Sequence, residues 1–360
     1  MLLRTRLQLA IVDAWQRRGA LALLLSPLSA VHFLLYRCRS ALYALGVFQP
    51  VRLDVPVVVI GNVYVGGTGK TPLTVELVRA LLARGWRPGI VSRGYGALDS
   101  APRLVSAQDA ARQVGDEPLL MVRATAAPVA IAKRRAEAAR VLRAAHPECD
   151  LIVADDGLQH LQLARDMEIA VVNYRGLGNG WMLPAGPLRE PRGRLDRVDA
   201  IVLNGIAAEI PELAALAPRY RMRTHVTGAF ALHDPKLRIE LSALAAEQRS
   251  NGWRLTAAAG IGAPERFFAM LRAAGLVIDT LPLADHFDYQ TNPFAHCDAD
   301  RILITEKDAV KCVDNSSLAT DARLWVVPLV TEVDVALIDA VVALISAKRT
   351  RGNADGPSPA

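Results

Sequence analysis

Aromatic residues make up only 5% of this 360-residue chain, and its basic residues do not form a groove-reading module. Both absences argue against nucleic-acid binding, which needs stacking platforms or a basic stripe. Cysteine is scarce as well. Cys38, Cys149, Cys297 and Cys312 are scattered, with no C-x-x-C spacing. That excludes a disulfide framework and a metal knuckle, and it fits a reducing compartment. The chain has no internal repeat, which removes solenoid and propeller architectures.

Apolar residues are plentiful, at 52% of the chain, enough for a sizeable core and a lean toward membrane contact. The length predicts two domains with an appendage. The net charge of +6 arises at one end. Residues 1–53 carry Arg4, Arg6, Arg17, Arg18, Arg37, Arg39 and Arg52 against Asp13 alone, and the remainder balances. This basic excess flanks the apolar run Gly19–Tyr36, a pairing that points to an anionic membrane surface. The run is at the lower edge of what a spanning helix needs. Pro27 predicts a break, so the segment reads as two amphipathic helices lying in the interface. A spanning helix and a packed hairpin are the alternatives. A signal peptide fits less well, because the run is long and lacks a small-x-small cleavage site.

The rest of the chain is organised around Gly61 to Pro72, GNVYVGGTGKTP. An apolar run, Val57–Ile60, precedes it and a helical pattern follows from Thr71. Strand, glycine-rich turn, then Lys-Thr opening a helix is the context of a phosphate-binding loop. Backbone N–H groups of Gly66, Gly67, Thr68 and Gly69 would cradle an anion at a positive helix end. Lys70 would reach the outer phosphates and Thr71 would face Mg²⁺. The loop is irregular. Tyr64 stands where a regular Walker A has its first glycine, and Val65 replaces the extra lysine of the deviant form.

Apolar runs at Val57–Ile60, Gly89–Ser92, Pro128–Ile131, Asp150–Ala154, Ile169–Asn173 and Ala200–Asn204 read as parallel strands covered on both faces. Helices are expected at Pro72–Arg84 and Lys133–Ala145. The fold class is α/β: a doubly wound parallel-sheet domain of the phosphate-loop type, a second and smaller α/β domain, and an N-terminal membrane-associated helical segment. The expected divisions are residues 1–50, 51–218, 219–348 and a disordered tail, 349–360. In the second domain Tyr220–Val226 reads as an antiparallel or linker strand, and Leu324–Val330 as one strand before a last helix.

Several acidic and basic residues fall at strand ends, where ligands of open α/β sheets sit. Leu151–Ala154 runs into Asp155-Asp156-Gly157, a strand end suited to holding Mg²⁺ beside the loop. Asp116-Glu117-Pro118 reads either as a helix cap or as a base and metal ligand. Arg93, between glycines, would pair a phosphate. Arg189-Glu190, between prolines, presents charges in a rigid loop. His286, after Asp285, could serve as a base across a cleft. Thr305-Glu306-Lys307-Asp308 is close to the guanine reader N-K-x-D, but its order is wrong, so it reads as a strand-end turn.

Taken in order, these motifs resemble the tetraacyldisaccharide 4′-kinase (lipid A 4′-kinase) family. The resemblance rests on the phosphate loop, SRGYG at 92–96, GDEP at 115–118, DDGLQ at 155–159, Leu183–Pro191, DHF at 285–287 and TEKD at 305–308. It implies ATP- and Mg²⁺-dependent phosphorylation of the 4′-hydroxyl of a tetraacylated disaccharide 1-phosphate, at the cytoplasmic face of the inner membrane. It implies Asp116 and His286 as the catalytic pair and Gly66, Gly67, Thr68, Gly69, Lys70 and Thr71 as nucleotide contacts. Thr71, Glu117, Asp155 and Asp156 become the Mg²⁺ side, and Arg93, Gln159, Arg189 and Glu190 the substrate side. The family's second histidine is Phe287 here. With loop and histidine in different domains, the catalytic groups are expected to meet on closure. A membrane-recruited regulatory ATPase and a metallochaperone-type GTPase are the rival readings. Val65, the N-terminal position of the apolar segment, and the lack of Cys/His clusters weigh against them.

Overall fold

A computed structural model describes residues 11, 13–99, 101–206 and 217–354, with side chains to residue 348. Arg4, Arg6 and the last residues of the expected tail lie outside that range. The larger sheet has nine strands in the order β15-β8-β7-β6-β1-β5-β2-β4-β3. These are β1 (Val57–Gly61), β2 (Pro88–Ser92), β3 (Arg103–Val105), β4 (Val129–Ile131), β5 (Leu151–Ala154), β6 (Met167–Asn173), β7 (Ala200–Asn204), β8 (Arg219–His225) and β15 (Val330–Val333). All pairs are parallel except β3 with β4 and β15 with β8. The central strands are buried from end to end, which is why they read as unbroken Val/Ile/Leu runs.

The smaller sheet has the order β10-β9-β14-β13-β11-β12. It comprises β9 (Gly228–Ala231), β10 (Arg238–Glu240), β11 (Leu255–Ala259), β12 (Ile278–Pro282), β13 (Arg301–Thr305) and β14 (Leu324–Val327). Phe267, Phe268 and Leu271 of the helix Pro264–Ala273 pack on one face of it, in a core with Leu244 and Leu303.

Sheet membership differs from the sequence reading in two places. The strand after residue 218 continues the larger sheet in parallel with β7. The run Leu324–Val330 is split between sheets, with β14 in the smaller and β15 in the larger. Pro328 lies between them, and a residue without an N–H cannot continue a ladder. The last helix, Val335–Ala354, runs past the expected start of the tail, and its Leu337, Val341 and Ile345 join the larger sheet's core.

The N-terminal segment is corrected more sharply. It forms one 25-residue helix, Ala20–Ala44, with Pro27 inside it, not two helices. Proline deprives the Leu23 carbonyl of its helical donor, and the Ser26 hydroxyl donates to that carbonyl at 2.7 Å instead. Ala22, Ser29, His32 and Tyr36 share the face toward the protein. Ser29 Oγ donates to the Met182 carbonyl and accepts from the Ala185 N–H, both at 2.9 Å. The opposite face presents Leu24, Leu28, Val31 and Leu35 to the outside.

Candidate active site

The phosphate loop leaves β1 and enters the helix Lys70–Ala83 at Gly69, whose φ of +100° requires glycine. A Cβ there would meet Asn204 Nδ2 at 2.2 Å. Side chains from outside the cradle hold the loop's carbonyls. Asn62 Nδ2 donates to the carbonyls of Tyr64 (2.6 Å) and Gly66 (3.2 Å) and to Thr68 Oγ1 (3.0 Å). Asn173 and Arg175 donate to the Gly67 carbonyl at 3.2 and 2.6 Å. Asn204 donates to the Thr68 carbonyl at 2.9 Å. An anion cradle is built this way: its carbonyls are turned out and held, and its N–H groups are left for the ligand.

β5 pairs with β1, so its end falls beside the loop. Asp155 is buried and accepts from Thr74 Oγ1 at 2.9 Å and Thr71 Oγ1 at 3.4 Å. Burial, with the negative charges of Glu117 and Asp156, pushes its carboxyl up to about 6. Asp156 behaves oppositely. Burial would raise it, but Lys70, 3.5 Å away, and Arg189, at 3.2 Å from both its oxygens, hold it at about 2. Asp156 has φ +47°. Beneath the turn lies Arg135, 2% exposed, donating to the carbonyls of Asp155 and Asp156. Burial pulls its guanidinium down to about 10.

Thr71, Asp155, Asp156 and Glu117 supply hard oxygen donors, the chemistry Mg²⁺ takes. A divalent cation would relieve the carboxylate repulsion that raises Asp155. Among the described residues no three Asp, Glu, His or Cys side chains converge on one point.

Asp116 opens the helix Asp116–Thr125, and its Oδ1 accepts the Glu117 N–H at 2.9 Å. Its Oδ2 lies 2.9 Å from Nδ1 of His286, which follows β12 in the smaller unit. The bond to Asp116 raises the imidazole above its ordinary value. Burial would raise Asp116 too, but His286, Lys307 and Lys311 outweigh it and lower the carboxyl. Glu117 accepts from Lys307 Nζ at 3.0 Å. The pair thus already bridges the two units, where the sequence reading expected contact on closure.

The substrate-side residues divide. Arg189 binds Asp156 and lies 3.4 Å from Gln159 Oε1, and Gln159 Nε2 donates to the Asn62 carbonyl at 2.9 Å. Arg93 is exposed at the end of β2. Glu190 lies in the interior. It is 3% exposed, pairs with Arg194 at 3.2 Å, and burial pushes it up to about 7. Its charge is spent in a core network with Arg194, Glu168 and Arg165. Sequence reasoning missed Asn62, Arg135, Arg175 and Lys311. Only Lys311 carried a signal: it lies four residues after Lys307, on the same helical face.

An anion cradle with a lysine, acids at the neighbouring strand end and a carboxylate–imidazole pair on the far wall define a phosphate-loop kinase. A family model described as tetraacyldisaccharide-1-P 4'-kinase (LpxK) matches residues 21–346. A tetraacyldisaccharide 4'-kinase of Herminiimonas arsenicoxydans is 49% identical over 348 residues, covering 94% of this chain and 96% of that protein. One of Bordetella parapertussis is 50% identical over 323 residues, covering 88% and 90%. A crystal structure of LpxK from Aquifex aeolicus, an "apo" form in complex with ATP, aligns with a TM-score of 0.73 at 25% identity, covering 90% of this chain and 99% of that one. The chain belongs to the tetraacyldisaccharide 4′-kinase family.

Proposed function

We propose that the protein transfers the terminal phosphoryl group of ATP to the 4′-hydroxyl of tetraacyldisaccharide 1-phosphate, at the cytoplasmic face of the inner membrane. The observation that carries the reading is the 2.9 Å Asp116–His286 pair beside the phosphate loop. Asp116 accepts the Nδ1 proton and fixes the tautomer, so Nε2 is left to take the hydroxyl proton. Gly66 to Thr71 grip the nucleotide phosphates, and Lys70 exchanges Asp156 for them. Thr71, Asp155, Asp156 and Glu117 would hold Mg²⁺, which would supply charge neutralisation between the phosphates. Arg93, Gln159 and Arg189 line the approach of the sugar.

The N-terminal helix supports membrane association. Its outer face is exposed and apolar, and exposed Arg17, Arg37 and Arg39 flank it. A helix with one face hydrogen-bonded to residues 182–185 favours lying in the interface over crossing the bilayer. The domain roles follow: the smaller unit brings His286 to the nucleotide-holding unit.

The test is ATP-dependent phosphate transfer to tetraacyldisaccharide 1-phosphate in detergent micelles. His286→Ala and Asp116→Ala should each lower kcat by about 10²-fold or more while ATP affinity holds. ATP hydrolysis without transfer by the folded parent would favour a regulatory ATPase instead.

A further inference from the structure

The segment Thr305-Glu306-Lys307-Asp308 opens the helix Glu306–Cys312, which packs against the start of the Asp116 helix from the smaller unit. It supplies no guanine reader, and its contacts converge on the catalytic pair. Asp308 is fully buried, and its Oδ2 accepts from Thr305 Oγ1 at 2.7 Å and from the Gly260 N–H at 3.1 Å. The Gly260 carbonyl in turn accepts the His286 N–H at 3.1 Å. His286 has φ +57°, a conformation that a non-glycine residue keeps only when its surroundings enforce it. A Cβ on Gly260 would meet Asp308 Oδ1 at 2.9 Å, so this strut admits only glycine at that position.

Lys311 lies one turn further along the same helix. The residue is 7% exposed, and its ammonium lies 3.4 Å from Asp308 Oδ1, 3.7 Å from Asp116 Oδ2 and 5.3 Å from the centre of the Tyr289 ring. Among the described residues it has no hydrogen-bond acceptor, so it is held by the charge of two carboxylates and the face of Tyr289. Asp116 Oδ1 is fixed by its own helix, and Oδ2 is the oxygen that meets His286, Lys311 and, at 3.8 Å, Lys307, whose ammonium is itself bonded to Glu117. One short helix therefore grips both members of the pair, the histidine through Asp308 and Gly260, the aspartate through Lys311.

We infer that Asp308 and Lys311 are positioning residues for phosphoryl transfer, holding His286 and Asp116 in register across the two units. The inference rests on the reading of Asp116 and His286 as the catalytic pair. Small misplacements of such a pair cost rate, not substrate binding.

The experiment uses the full chain in the micelle assay, with thermal unfolding measured alongside. Lys311→Met keeps the side chain's length and removes the charge. It should lower kcat about 10- to 100-fold and leave KM for ATP within about twofold; because Asp308 and Asp116 stay buried without their cation, the melting temperature should fall as well, so turnover is compared well below the variant's melting temperature. Lys311→Arg should recover most of the loss. In a His286→Ala background, Lys311→Met should cost less than about twofold further, because residues acting as one unit are non-additive. Thr305→Val removes the hydroxyl that donates to Asp308 Oδ2 and caps the helix by accepting the Asp308 N–H; it should show the same split at smaller size, with a modest loss of stability from the cap, and it serves if Lys311→Met does not fold. A Lys311→Met enzyme with near-parental kcat, or losses that multiply with His286→Ala, overturns the inference. If His286→Ala itself turns over normally, the catalytic-pair reading falls first. A crippled His286→Ala beside an unaffected Lys311→Met removes the positioning role alone.

Discussion

Replacing Leu24, Leu28 and Leu35 with glutamine should strip the protein from membranes without disturbing its chemistry. The three share one stripe of the N-terminal helix and are 75%, 58% and 63% exposed. Together they offer about two fully exposed leucine side chains, each worth about 1.5–3 kcal/mol on burial. The triple variant therefore forfeits about 3–6 kcal/mol of partitioning, or about 10²- to 10⁴-fold. Ala22, Ser29 and His32 on the opposite face are untouched, so the docking on residues 182–185 survives. The assay is co-sedimentation with phosphatidylethanolamine/phosphatidylglycerol vesicles, paired with turnover in detergent micelles. The parent should sediment, and should do so less at high salt, since arginines near an anionic surface add about 1 kcal/mol each. The variant should remain in the supernatant, lose turnover on vesicle-embedded substrate, and keep it in micelles. Undiminished sedimentation would refute the outer face as the membrane contact. An equal loss of turnover in micelles would mean that the helix serves the fold instead.

Two further outcomes follow from the site. The imidazole of His286 must be neutral to accept a proton, and Asp116 raises its value above the ordinary one. The acid limb of kcat/KM should therefore lie above pH 6.5, and Asp116→Asn should move it to lower pH as well as lowering the plateau. The same pair stabilises the fold fully below the unfolded histidine's value and loses that contribution as pH rises through the folded one, which thermal melts across the range will read. Gly61→Ala at the end of β1 should place a Cβ 2.4 Å from Leu158 Cβ and 2.9 Å from its backbone nitrogen. Forcing the Asp155–Leu158 turn away from the loop should cost about 1–3 kcal/mol of stability in denaturant unfolding and most of the transfer activity.

The phosphate loop, the strand that feeds it and the parallel order around it were legible because they rest on local chemistry. Continuous apolar runs specify strands covered on both faces, and Gly-Gly-Thr-Gly-Lys-Thr specifies an anion-binding turn. The failures lie where the placement of a partner side chain, near or far in sequence, decides. Pro27 signals a broken helix unless a neighbouring hydroxyl takes over the orphaned carbonyl, and Ser26 does so. Glu190 reads as a charge presented by a rigid loop, yet it is buried against Arg194. Arg135 is one of several arginines in an Ala/Arg-rich helix, and nothing local marks it as the one whose guanidinium props the Asp155–Asp156 turn from below. Strand β8 reads from its alternation as an antiparallel or linker strand of the second domain, yet it extends the larger sheet in parallel with β7, a pairing its own pattern does not specify.

Tyr64 and Val65, the two departures from regular phosphate loops, become intelligible in the fold. A first glycine ordinarily lets the loop turn on its own. In this chain the turn is imposed from outside, by asparagines at the ends of three neighbouring strands: Asn62 after β1, Asn173 of β6 and Asn204 of β7. With the carbonyls so held, position 64 is released from its conformational duty and can carry a large side chain. Tyr64 uses that freedom structurally. Its ring is buried under the Arg175 guanidinium at 4.4 Å, and Arg175 reaches on to the Gly67 carbonyl. Its hydroxyl accepts from Gln16 at 3.3 Å, just ahead of the N-terminal helix. Val65 is likewise bound outward, its N–H donating to the Pro187 carbonyl at 2.9 Å. The irregular end of the loop is thus the part tied to the N-terminal segment and to the proline-rich loop on which that helix docks. On the proposed reading the regular end, Gly66 to Thr71, grips the nucleotide and the N-terminal helix meets the membrane; Tyr64, with Val65, would then tie the phosphate grip to the elements that carry that helix.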